Sequence, residues 1–162
     1  MEYLGRGPEE NYWDRKSGSM IGLYETTAEQ MYVPYVRPQE NGHRTDVRRL
    51  ALTDDRGKGL LIIPESTLEF NALRNSVEDF DSAESVRPVQ LNHYDNHDVD
   101  VTNGRKQTHV NDIVPRDFVE LCLDEVMMGV GGDNSWGAPI NPKYLIDVTH
   151  SRRFVFSVRP IR

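Results

Sequence analysis

The stretch VRRLALTDDRGKGLLIIP, residues 47–64, decides the fold class of this chain. Two largely apolar runs, Val47 to Thr53 and Gly59 to Pro64, flank the turn-rich pentapeptide at residues 54–58. Asp and Gly favour tight turns, because Asp bonds its own backbone and Gly adopts left-handed angles. Short apolar runs joined by such a turn are typical of neighbouring antiparallel strands, so the stretch predicts a β-hairpin.

Further short runs on either side of this hairpin have strand periodicity. Residues 68–72 and 119–123 place apolar side chains at every second position, so each run should put one face on a core. Residues 154–158 are apolar on both faces, which predicts a closing core strand covered on both sides and stopped by Pro160. Together these runs predict an all-β fold of packed antiparallel sheets.

The composition fits one globular domain, residues 1–162, because hydrophobic residues make up 37% and charged residues 28% of the chain. The net charge of −7 argues against partners such as nucleic acid or anionic membranes, since both attract Lys and Arg. No apolar run approaches the roughly 18 residues of a spanning helix. The chain is therefore expected to be soluble, in the cytoplasm or the periplasm.

Helical signals are few. Residues 76–79 form a weak capping-box pattern with too few apolar residues after it for more than a turn or two, and we expect a connector there. Residues 92–114 are polar and lack periodicity, which predicts a long surface excursion or a strand edge with loops.

Three histidines lie in or near this polar region. His93 and His97 are four residues apart, and His109 follows. A spacing of four aligns two zinc ligands only on a helix, yet the run is rich in Asn and Asp, which disfavour helix interiors. The favoured interpretation is a solvated loop, and a small metal-dependent enzyme is the alternative.

The most distinctive motif is the glycine-rich stretch MMGVGGDNSWG, residues 127–137. Its glycines permit unusual backbone angles and lead to Trp136. An indole on such a loop, with Asp133 and Asn134 beside it, suits stacking on the apolar face of a sugar. The alternative is that Trp136 fills the core of its own domain. A phosphate cradle is disfavoured, because the dinucleotide fingerprint lacks its third glycine and no helix follows.

No group of residues indicates catalysis. Glycosidases place two carboxylates about 5 to 9.5 Å apart, and the sequence pairs none. Glu9, Glu10 and Asp14 form a local acidic group, interpreted as a surface loop held by local hydrogen bonds and ion pairs. Cys122 lies in an alternating run and is interpreted as a strand residue, and no nucleophile elbow is present. No catalytic residue is assigned.

Three motifs together carry a family resemblance: LGRGPEENYWDR at residues 4–15, YVPYVRPQENG at residues 32–42, and residues 129–137. In this order they resemble the C-terminal, small-chain domain (domain 5) of glycoside hydrolase family 2 β-galactosidases. The similarity runs from about Leu4 to Pro160 and is looser from Val86 to Val114. Three long motifs in the right order are more specific than any one of them.

The resemblance implies a large antiparallel β-sandwich, a supersandwich related to galactose mutarotase, within a much longer chain. It implies that the catalytic glutamates lie on a barrel outside this chain, so the chain alone should be inactive. It also implies that Trp136 reaches the active site and forms an apolar wall for galactosides such as lactose. Asp133, Asn134 and Ser135 match the same motif and are expected to shape the loop rather than touch substrate.

Cofactors and partners follow from the same resemblance. The family's magnesium and sodium sites lie mainly on other domains, so no cofactor or metal is assigned here. The expected partners are the remaining domains of the same chain, in an enzyme expected to be homo-oligomeric. The alternative function is an independent carbohydrate-binding module that uses Trp136 alone.

Overall fold

Among the described residues, five strands form the larger of two antiparallel sheets. The computed structural model describes residues 1–80, 109–134 and 137–162. The strands of the larger sheet, in spatial order, are β2 (Met20–Glu25), β1 (Glu2–Gly7), β4 (Arg49–Thr53), β5 (Gly59–Pro64) and β8 (Phe156–Ile161). Every neighbouring pair in this sheet is antiparallel.

The smaller sheet has three strands, with β6 between the other two. They are β3 (Arg44–Val47), β6 (Leu68–Leu73) and β7 (Glu120–Asp124), again antiparallel. Within the part of the chain that the structure describes, helix is confined to short turns: α1 (Ala28–Met31) and 3-10 turns at Val77–Phe80, Val110–Asp112 and Pro142–Tyr144. The predicted all-β class is confirmed. None of these turns has the length and apolar character that crossing a lipid bilayer requires.

The core lies between the two sheets. Tyr3 and Leu50 of the larger sheet and Leu68 and Phe70 of the smaller one are fully buried. The rings of Tyr3 and Phe70 meet edge to face, with centroids 5.4 Å apart. Fully burying one large apolar side chain contributes roughly 1.5–3 kcal/mol, so this contact between sheets is a main source of stability. The other core residues are Met31, Val47, Ile62, Ala72, Leu73 and Phe80.

The predicted hairpin is present as β4 and β5, with Leu50 opposite Ile62. Its turn is closed by Asp54, whose carboxylate accepts from the backbone nitrogens of Arg56 and Lys58, both at 2.9 Å. The predicted start at Val47 is wrong, because Val47 ends β3 and pairs with Leu68 in the other sheet.

The chain changes sheets at residues 46–48. Asp46 has a left-handed backbone with φ of 55°, and the backbone nitrogen of Arg48 donates to Leu4 of β1 at 2.8 Å. Gly5 lies beneath this crossing, since a side chain there would come within 2.7 Å of Val47 Cγ2. An apolar pattern does not show this change of sheet, which explains the misplaced boundary.

Strand β6 has both faces buried along its whole length. The apolar face made by Leu68, Phe70 and Ala72 packs on the core, as predicted. The opposite face carries Glu69 and Asn71, which are also buried, so it meets a polar network rather than solvent. For the 119–123 run, β7 begins at Glu120, and Val119 just before it is 48% exposed.

The prediction for the last strand is wrong. Strand β8 forms, but it is an edge strand that pairs with β5, and Val158 on it is 51% exposed. Pro160 lies inside the strand, where an edge position tolerates the missing N–H. Apolar residues at successive positions predicted a strand correctly, but burial depends on what covers it.

The helical turns are connectors. Residues 77–80 form the expected short turn. Helix α1 was not predicted, although Thr27 and Gln30 make a reciprocal capping box at its start. Helix α1 buries Met31 in the core.

Candidate functional site

The glycine-rich loop after β7 is the candidate site. Gly131, Gly132 and Gly137 have φ values of 70°, 90° and 78°, which side chains other than glycine rarely adopt. Gly129 is buried, and a side chain there would come within 2.6 Å of the Asp14 carboxylate. The loop therefore requires glycine for two reasons, its backbone angles and its close packing.

Asp14 anchors the middle of this loop. Its Oδ1 accepts from the backbone nitrogen of Val130 at 3.2 Å, and its Oδ2 accepts from that of Gly131 at 2.8 Å. Hydrogen bonds to an ionised carboxylate are roughly twice as strong as neutral ones. The nitrogen of Gly129 donates to the carbonyl of Tyr144 at 2.8 Å, which fixes the loop from a third segment.

Asp14 is held in place by its own short turn. The backbone nitrogen of Arg15 donates to the carbonyl of Tyr12 at 2.8 Å, closing residues 12–15. Within this turn, the ring of Trp13 meets the ring of Tyr144 edge to face, with centroids 5.8 Å apart. Asp14 and Val130 are 116 residues apart in the sequence, and the hydrogen bond between them joins the first motif and the glycine-rich loop into one unit.

Glu10 joins the second motif to the first. Its carboxylate accepts from the hydroxyl of Tyr35 and, at 2.9 Å, from the backbone nitrogen of Gly42. Burial, followed by the Glu10 carboxylate, raises the pKa of Tyr35. Burial also raises the pKa of Glu40, which accepts from Asn71 at 3.0 Å.

Two clefts flank the loop. The first, of about 470 Å³, combines apolar and polar walls, and its lining is Tyr12, Arg15, Tyr35, Gln39, Glu40, residues 127–132 and Ile140. The second, of about 530 Å³, is mostly polar, and its lining is Asp14, Arg15, Gly131, Gly132, Asp133, Asn141, Lys143 and Tyr144. Apolar walls with a few polar groups suit ligands such as sugars.

The predicted site residues fall partly within the described residues. The side chain of Asn134 accepts from the backbone nitrogen of Ala138 at 3.3 Å, and Asp133 lines the second cleft. Ser135 and Trp136 lie outside the described residues. The sugar-binding role of Trp136 and the loop-shaping roles of its neighbours stay predictions.

The histidine region gives a similar outcome. His93 and His97 lie outside the described residues, whereas His109 is exposed and its Nδ1 lies 3.2 Å from Asp112. Among the residues that the structure describes, no group of three or more His, Cys, Asp or Glu side chains is arranged to hold a metal ion.

Cys122 lies in β7, where burial raises its pKa to about 11 and disfavours the nucleophilic thiolate.

The interpretation of residues 9–15 as a locally bonded surface loop is wrong. Asn11 and Tyr12 are buried, and Asn11 accepts from the backbone nitrogen of Thr45 at 3.1 Å. Glu10 and Asp14 bond segments far along the chain. The anchoring role of Asp14 was not predicted, although the place of Asp14 in a family motif was a signal for it.

Comparison with known proteins identifies the family. The family described as beta galactosidase small chain matches residues 1–159. The chain belongs to this family. The residues that anchor the loop of this small-chain domain, Asp14 and Tyr144, lie inside the matched region, as does the loop itself. The resemblance seen in the sequence is confirmed.

Curated relatives carry the name beta-galactosidase. The protein from Priestia megaterium is 35% identical over 161 residues, covering 99% of this small-chain domain and 13% of the relative. The one from Streptococcus thermophilus is 31% identical over 162 residues, covering 99% and 14%. The one from Vibrio cholerae is 32% identical over 150 residues, covering 93% and 12%. This chain thus spans about one-eighth of the length of these relatives.

Proposed function

We propose that this chain is an accessory domain of β-galactoside hydrolysis, in which Trp136 completes the galactoside site of a longer enzyme. The observation that carries the proposal is the anchoring of the glycine-rich loop by Asp14. A loop fixed before binding loses little entropy when it meets a ligand, so it can present an aromatic ring at low cost. The relatives' name supplies the substrate class.

The rest of the enzyme belongs to the same proposal. The acid/base and nucleophile glutamates, and the magnesium and sodium ions, belong to other domains of the same β-galactosidase chain, in a homo-oligomer. The fold of this domain is related to galactose mutarotase, which its two packed antiparallel sheets support. Alone, this chain does not hydrolyse lactose.

The test is Trp136→Ala in the complete β-galactosidase. Taking the loss of one aromatic contact as about 1 kcal/mol, within the range of aromatic pairs, KM for lactose should rise about fivefold. Phe118→Ala is the matched control, because Phe118 is an exposed aromatic side chain that lines neither cleft. If KM and kcat of Trp136→Ala stay within about twofold of the parent enzyme, the proposed role is wrong.

An independent carbohydrate-binding module is the second candidate. The two clefts beside the loop favour it, since their volumes fall within the roughly 300–1,000 Å³ of typical ligand sites. Calorimetry of this chain with galactose and lactose separates the two functions. Millimolar or tighter binding that Trp136→Ala removes supports the module, and no heat of binding supports the accessory domain.

A further inference from the structure

A second carboxylate holds the glycine-rich loop at its beginning. Glu69 lies on the buried polar face of β6 and is 6% exposed. Its Oε2 accepts from the backbone nitrogen of Met127 at 2.7 Å. Met127 is the first residue of the loop, three positions after β7 ends at Asp124. This bond therefore fixes where the loop leaves the smaller sheet.

His43 fixes Glu69 in turn. Its Nε2 donates to the same Oε2 at 3.0 Å, so one oxygen joins the imidazole to the loop backbone. The ring of His43 is fully buried and stacks on the ring of Tyr12, with centroids 5.3 Å apart and planes 11° apart. Full burial and the stack restrict rotation of the imidazole, and Glu69 is held by its bond to it.

Burial of the other imidazole nitrogen costs free energy, and packing alone does not explain why the chain has a histidine here. His43 Nδ1 is buried and has no hydrogen-bond partner among residues 1–80, 109–134 and 137–162. An unsatisfied buried polar atom costs free energy, which an apolar side chain of similar size would avoid. The imidazole therefore supplies something that an apolar ring does not, and the bond to Glu69 is the interaction that it makes.

The charges around His43 fit the same role. Burial raises the pKa of Glu40 and Asp124, and the charge interaction of each with His43 acts in the opposite direction. Removing the imidazole would therefore leave three crowded acidic groups next to the start of the loop. Mutual repulsion would favour moving Glu69 away from Met127.

We propose that His43 and Glu69 are a positioning pair that sets the exit of the glycine-rich loop and, through it, the place of Trp136 in the galactoside site. This inference rests on the proposed function. The pair touches no substrate and acts through Met127 and the loop that follows. The pair bonds the loop segment 127–131 at Met127, whereas Asp14 bonds the other end of the segment at Gly131.

The test is a double-mutant cycle in the complete β-galactosidase, with KM for lactose as the readout. Glu69→Leu removes both hydrogen bonds and should raise KM about fivefold, with a smaller change in kcat. Glu69→Gln keeps one oxygen that can accept both bonds, so it should restore KM to within about twofold of the parent. His43→Phe keeps the ring stack but loses the donor, and should lie between the two.

Repeating Glu69→Leu in the Trp136→Ala background isolates the route of the effect. If Glu69 acts through Trp136, Glu69→Leu should change KM by less than about twofold in that background. A fivefold rise that persists there assigns Glu69 a structural role alone and overturns the inference. Glu65→Leu is the matched control, because Glu65 is exposed and pairs with Arg153 away from the loop.

The two proposals fail in different ways. If Trp136→Ala alone leaves KM unchanged, the proposed function is wrong. If Trp136→Ala raises KM but Glu69→Leu and His43→Phe do not, only the positioning pair is wrong. Should Glu69→Leu fail to fold, as judged by thermal unfolding, the comparison of His43→Phe with Glu69→Gln in both backgrounds decides the same question.

Discussion

Asp14 joins the first family motif to the glycine-rich loop. Its two oxygens accept from consecutive backbone nitrogens, those of Val130 and Gly131. Backbone N–H groups in an irregular loop lack the partners that a strand or helix supplies, so a side-chain acceptor must replace them. One carboxylate thus accepts from two backbone N–H groups that residues nearby in the sequence leave without an acceptor.

Asp14→Asn should destabilise the chain by about 1–3 kcal/mol, because an amide has one acceptor oxygen and loses the charge. Urea unfolding at pH 7 measures the free energy, and amide hydrogen exchange should speed up at Val130 and Gly131. Asp55→Asn is the matched control, since Asp55 is exposed in the hairpin turn. A loss below about 0.5 kcal/mol with unchanged exchange would contradict the anchoring role.

At the scale of elements, the β4–β5 hairpin shows two different demands for glycine. Gly57 has a φ of 77° and open space around it, so only its backbone angle requires glycine. Gly59 pairs with Thr53 at the start of β5, and a side chain there would meet the carbonyl of Leu52 at 1.8 Å. The first demand is conformational, whereas the second is steric and involves rigid backbone.

Gly59→Ala should therefore destabilise the chain more than Gly57→Ala. A non-glycine residue in the left-handed region costs about 1 kcal/mol, which sets the expectation for Gly57→Ala. Relief of the clash at Gly59 requires β4 and β5 to separate locally, and the loss should exceed about 2 kcal/mol. Equal losses in urea unfolding experiments would show that the strands relieve the clash for no more than about 1 kcal/mol.

For the whole molecule, carboxyl groups that are buried or partly buried fall into two sets with opposite pKa shifts. Burial acts to raise the pKa of Asp79 and of Asp46. Hydrogen bonds from basic side chains, such as the one from Arg116 to Asp79, more than offset burial, so both pKa values fall. For Glu40 and Asp124 burial prevails, and the pKa values rise. The two sets make stability depend on pH in opposite directions.

The free energy of unfolding should therefore pass through a maximum on the acidic side of neutral pH. The raised pKa values of Glu40 and Asp124 mean that the folded state binds their protons more tightly, so stability falls as pH rises through those values. The lowered pKa values of Asp79 and Asp46 contribute stability above about pH 4, which is lost as pH falls through the folded values.

Urea unfolding between pH 3 and pH 8 measures this profile. Glu40→Gln combined with Asp124→Asn should flatten the decline towards neutral pH, and Asp79→Asn should flatten the acid limb. Asp55→Asn, an exposed substitution of the same kind, should leave the profile unchanged. A steady rise in stability from pH 4 to pH 7 would contradict the raised pKa values.

The sequence by itself determined the all-β class, the hairpin turn at residues 54–58 and the family, because period-two patterns, turn residues and long motifs are local signals. Tertiary structure alone decided that β8 lies at an exposed edge, that Val47 joins the smaller sheet, and that Asp14 and Glu69 anchor one loop. Burial and pairing depend on segments distant along the chain, which no local pattern contains.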